Sequence, residues 1–163
     1  MKATGIVRRI DDLGRVVVPK EIRRILRIRE GDPLEIFTGN SGEIVLKKYS
    51  PISDMNQVAT EFAETAAQNL GCTVAITDTD MFIASSGKEK RLFANSKIDE
   101  ELDYQIQTKE KYESPSKIIV PILAHGDVIG SIIMIANEDK KLSDVETKTA
   151  QIGAEFIAKQ LYS

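Results

Sequence analysis

The chain has 163 residues, 42% of them hydrophobic and 29% charged, a composition that fits one soluble globular domain or two small ones. It has no apolar run of roughly eighteen residues and no long apolar stretch behind its first positive charges, so neither a membrane span nor a secretory signal is expected. A single cysteine, Cys72, excludes an internal disulfide framework, fits a reducing cytoplasm and reads as a small core residue.

A net charge of −3 and a pI near 5.3 argue against nucleic acid at first sight. The charge is unevenly spread. Residues 1–50 carry a net +4 and residues 51–163 a net −7. Between positions 8 and 29 there are eight basic residues and three acidic ones. Such asymmetry is the footprint of a nucleic-acid-binding end.

Thr4 to Ile10 alternates as a strand does. Asp11-Asp12-Leu13-Gly14 is a turn, and Arg15 to Val18 a second strand rich in β-branched residues. Pro19 ends that strand and suits the first position of a helix. The helix, Lys20 to Leu26, has an apolar side (Ile22, Ile25, Leu26) and a basic side on which positions 20, 24 and 27 share a face. Leu34–Phe37 and Ile44–Tyr49 are two more strands, joined by a glycine-rich loop. The first fifty residues thus read as ββαββ. A unit this small buries little apolar surface and leaves strand edges open, so a tightly packed or intertwined dimer is expected. Arginine predominates among the helix's basic residues, and guanidinium suits bidentate phosphate and guanine contacts.

The run Thr4 to Pro19, with Glu21-Ile22-Arg23-Arg24, Leu34-Glu35-Ile36 and Ile44 to Tyr49, resembles the AbrB-type transition-state regulator domain. The resemblance covers essentially all of residues 1–50. It implies an all-β swapped-hairpin barrel, formed by two interleaved chains, that binds double-stranded DNA. It also implies that Arg8, Arg15, Arg23 and Arg24 contact the DNA, with Arg9 beside them. Lys20 and Arg27 are expected as further phosphate contacts.

Beyond the junction at Ser50–Ser53 the periodicity changes. A helix is expected from about 54 to 70, ending at Gly71. Thr73–Asp78 and Met81–Ser85 form a hairpin around Thr79-Asp80. Residues 86–96 read as loop, and Ile98, Leu102 and Ile106 mark a short helix. Lys117–Leu123 and Val128–Ala136 form a second hairpin, with Pro121 pointing to an edge or a bulge. Ser143-Asp144-Val145-Glu146 opens a final helix with a capping box. That helix carries two apolar rows, Val145/Ile152/Phe156 and Gly153/Ile157/Leu161, and part of the second row is expected to meet a partner helix. Helices packed on an antiparallel sheet give an α+β domain over 51–163. Pro121-Ile122-Leu123 and Gly126 to Ile133 resemble the last hairpin of a GAF domain. An AbrB-type start joined to a GAF-like end resembles a family of sporulation regulators.

No catalytic constellation is visible. His125, the one histidine, falls at a turn tip, and neither a zinc-ligand cluster nor a phosphate-binding glycine fingerprint occurs. The expectation is a non-enzymatic transcriptional regulator, activator or repressor, in the cytoplasm and associated with the nucleoid. No metal and no cofactor are expected. The partners expected are double-stranded DNA and further copies of the chain: a dimer through the first domain, with a tetramer through the GAF-like domains left open. The GAF-like half serves assembly and leaves room for an unidentified small-molecule effector. The alternative is an antitoxin-like protein that binds and inhibits a toxin partner, since the same small barrel serves that role.

Overall fold

In the computed structural model, which describes residues 2–93 and 96–161, the chain clusters into two units, Met1–Tyr49 and Ser50–Ser163. The first unit contains helix α1 (Lys20–Leu26) and a hairpin of β1 (Leu34–Thr38) and β2 (Ile44–Lys48), antiparallel from Leu34↔Lys48 to Thr38↔Ile44. The expected strands at 4–10 and 15–18 are not formed in the single chain. A strand exists only by pairing, and the backbone of this stretch bonds to itself only around the turn, where Asp11 N donates to Arg15 O at 2.9 Å and Gly14 N to Asp11 O at 3.0 Å.

The side chains of this unit explain the missing pairs. Among the described residues of the unit only Pro19 is buried. Val7, Ile10, Leu13, Val17, Ile25, Ile36 and Ile44 are each more than two-thirds exposed. The apolar side chains along 4–10 and 15–18 are therefore largely uncovered in the single chain.

The second unit has a full core. A 3₁₀ turn (Pro51–Met55) leads into α2 (Asn56–Leu70), which Gly71 ends in the left-handed conformation, φ 67°. The hairpin β3 (Thr73–Thr77) and β4 (Phe82–Ser86) follows; Asp78 shapes its turn by accepting the N–H groups of Asp80 and Met81, both at 2.7 Å. A short 3₁₀ turn, Lys90–Leu92, interrupts the expected loop, of which residues 94 and 95 lie outside those described. Next come α3 (Glu100–Gln107), capped by Asp99, the short β5 (Tyr112–Glu113), β6 (Lys117–Ala124), β7 (Asp127–Ile135) and α4 (Asp144–Gln160). His125 and Gly126 both have positive φ, as the two-residue turn between β6 and β7 requires.

The sheet order is β4-β3-β7-β6-β5, with every pair antiparallel. One face (Val74, Ile76, Ile118, Val120, Ile122, Ile132, Met134) packs on α2 and α4. The other (Ala75, Ile119, Ile133) packs against Leu102 and Ile106 of α3. Because both faces are covered, the central strands are largely apolar rather than alternating. Pro121 lies in β6 beyond the stretch that β5 covers, with the register slipping after it between Ile122 and Leu123. Among the described residues no helix is long and apolar enough to cross a membrane.

Candidate nucleic-acid interface

The five arginines singled out from the sequence all lie in the first unit and are all exposed. Arg8 and Arg9 precede the turn, Arg15 follows it, and Arg23 and Arg24 ride on α1. Each guanidinium presents a planar fork of N–H donors suited to phosphate oxygens and to guanine edges.

α1 is short but fixed at both ends. Pro19 flanks the helix in an extended conformation (φ −60°, ψ 148°) instead of opening it, and its carbonyl accepts from Arg23 N at 3.0 Å. At the other end Ile28 N donates to Arg23 O at 2.8 Å and Arg27 N to Arg24 O at 3.3 Å, a Schellman closure. Arg27 stands where glycine is usual, with φ 55°, so it leaves the helix and does not continue the face of Lys20 and Arg24. The Lys48 ammonium then donates to Arg27 O at 2.9 Å and sits 3.7 Å from the Asp32 carboxylate, which also accepts Arg29 N at 2.8 Å. A cation against the last carbonyls suits the helix dipole. Lys48 thereby ties the arginine helix to the β1–β2 hairpin.

Individual arginines are also oriented. Arg23 Nε donates to Val18 O at 3.2 Å, and Arg8 Nη1 to Val7 O at 3.2 Å. Arg15 is held most firmly. One oxygen of Asp11 accepts the N–H groups of Leu13 (3.0 Å) and Arg15 (2.8 Å), and the other accepts Arg15 Nε at 2.7 Å. The Arg15 backbone and side chain together hold the Asp11 carboxyl below its ordinary range. The Arg15 side chain nevertheless keeps 70% of its surface exposed, so the pairing leaves it accessible to a ligand.

Neither Asp11 nor Lys48 was expected in these roles. The first signal is an aspartate at the head of a turn with an arginine four residues on, a side-chain-capped turn. The second joins residues too far apart in sequence for any local pattern to show it. In the second unit, an open cleft of about 550 Å³ beside β6 and α4 has Val120 and Pro121 on its floor and Lys109, Lys111 and Glu155 around it. Among the described residues no acidic, histidine or cysteine cluster could hold a metal ion.

Comparison with known proteins matches residues 54–162 to the family described as stage V sporulation protein T C-terminal, transcription factor. Stage V sporulation protein T of Bacillus subtilis (strain 168) is 47% identical over 177 aligned positions that span 99% of each protein. The chain belongs to the stage V sporulation protein T family. Like the family, it is a DNA-binding transcription regulator of sporulation. Within this family member, the first unit is 59% identical over 51 residues to the transition state regulatory protein AbrB of B. subtilis, a match spanning 31% of this chain and 52% of that one. The antitoxin family described as antidote-toxin recognition MazE also matches residues 7–54. The second unit has the GAF fold: the GAF domain of PixJ from Thermosynechococcus elongatus superposes with a TM-score of 0.54 at 11% identity, over 71% of this chain and 91% of that one.

Proposed function

We propose that the chain regulates transcription as an oligomer whose first domain, residues 1–50, closes around a second copy and presents the arginines of both chains to double-stranded DNA. The exposed apolar face of the first unit carries this reading, because an apolar surface of that extent is stable only against a partner. The strands at 4–10 and 15–18 form when the second chain supplies their neighbours, giving the swapped-hairpin barrel. Arg8, Arg9, Arg15, Arg23 and Arg24 neutralise phosphates, and one or two of them reach base edges in the major groove. Few side chains can be assigned to particular bases, so DNA shape contributes to recognition.

Residues 51–163 serve regulation and assembly. Val145, Ile152 and Phe156 lie exposed along one side of α4, at 61%, 68% and 51%. Pairing of this row between copies joins two DNA-binding dimers into a tetramer. The cleft beside β6 is where a small-molecule effector would bind. The protein works in the cytoplasm, on nucleoid DNA, without catalytic activity.

The test is fluorescence anisotropy of full-length protein and an Arg23→Ala/Arg24→Ala variant on a labelled duplex, with circular dichroism and mass in solution as controls. Tight binding by the first, and binding by a folded variant that still pairs only at low salt, is the expected result. Equal binding by both would remove these arginines from the interface. The MazE-type match favours one other reading, toxin capture. The large folded second unit speaks against it, and failure of every form to bind DNA at low salt would favour it.

A further inference from the structure

We infer that Asp11 is a positioning residue for DNA binding: its carboxylate shapes the turn between Arg9 and Arg15 and holds the Arg15 guanidinium by one nitrogen, so that an acidic group strengthens the hold on DNA. This rests on the proposed contact between Arg15 and DNA. Three bonds converge on the one carboxylate: Leu13 N at 3.0 Å, Arg15 N at 2.8 Å and Arg15 Nε at 2.7 Å. The last is short and charge-assisted. It engages Nε alone and leaves the two terminal nitrogens of Arg15 with their donors available. An arginine loses much side-chain freedom when it binds, and Asp11 removes part of that freedom beforehand. Asp12, the next residue, also carries an exposed carboxylate but takes no part in these bonds.

Charge alone predicts the opposite sign. A carboxylate near phosphates repels them, so neutralising it should tighten binding. The two accounts separate on one substitution. Asp11→Asn keeps an oxygen for the two backbone N–H groups but replaces the acceptor of Arg15 Nε with an NH₂ group.

The experiment measures duplex affinity for full-length protein carrying Asp11→Asn, Asp12→Asn, Arg15→Ala, or Asp11→Asn with Arg15→Ala, each checked by thermal melting. Asp11→Asn should bind about tenfold more weakly, the scale of one charge-assisted bond. Asp12→Asn should not weaken binding, and Asp11→Asn should add nothing to Arg15→Ala. If Asn melts the domain, Asp11→Ser takes its place, since a hydroxyl also caps such turns. Unchanged or tighter binding by Asp11→Asn, beside a weakened Arg15→Ala, overturns the inference. So does an equal loss in the Arg15→Ala background, because the role would then be structural only. An Arg15→Ala protein that binds like the parent overturns the Arg15 contact itself.

Discussion

Arg23 and Arg24 are neighbours on one short helix, but only Arg23 is tethered, through Val18 O at 3.2 Å. The difference predicts that Arg24 adapts to its phosphate while Arg23 holds a fixed direction. In the second unit the residue that carries most at this scale is Glu146. It is buried, and one of its oxygens accepts both Ser143 N (2.9 Å) and Ser143 Oγ (2.7 Å). Burial pushes its carboxyl up, but the bonds from Ser143, with Lys140 nearby, outweigh burial and leave it below its ordinary value of 4.5. A carboxyl held low in the folded state contributes stability above its unfolded value and loses it as pH falls through the folded one. Glu146→Ala should therefore lower stability by about 1–2 kcal/mol at pH 7. In thermal melts at a series of pH values, the gap from the parent should close below pH 4.5. This capping box was legible in the sequence because Ser and Glu three residues apart form a local pattern. The Asp11–Arg15 pair was not, because it depends on how a turn folds back rather than on any period.

Elements were legible wherever a period ran long enough. α2, both hairpins of the second unit and α4 fall close to where the sequence puts them. β5 has two residues and carries no period to detect. α4 shows what periodicity leaves undecided. Two adjacent apolar rows marked it, and the row of which part was expected to meet a partner helix includes Gly153 and Ile157, both of which the structure buries. The exposed row is the other one, Val145, Ile152 and Phe156. Gly153 decides the matter: a Cβ there would collide with the Phe62 ring of α2, so this side is where the two helices close. Gly153→Val should destabilise the second unit by about 1–3 kcal/mol, read from its denaturation midpoint. An unchanged midpoint would mean that Phe62 can move aside freely. The strands at 4–10 and 15–18 are the converse case. The alternation of 4–10 and the β-branched run of 15–18 are plain in the sequence, but in the single chain neither stretch has strands to pair with.

On the scale of the whole molecule, the proposed tetramer runs through the exposed row of α4. Ile152→Glu with Phe156→Glu should leave the folded dimer intact and abolish the tetramer in sedimentation experiments, because two charges cannot be buried in an apolar seam. A tetramer that survives them would place the second contact elsewhere. The net −3 charge of the chain hides the arginines until the two halves are counted separately, and DNA binding depends on that separation. The central claim is that arginines from paired first units carry binding. The measurement that tests it most directly is the dependence of DNA affinity on salt for full-length protein and for Arg23→Ala/Arg24→Ala. Each phosphate contact adds about −0.9 to the slope of log affinity against log salt. A steep slope that becomes shallower by about 3 to 4 in the variant, as two arginines from each of two chains require, is the predicted result. Tight binding whose slope is shallow, or the same in both proteins, would contradict the account.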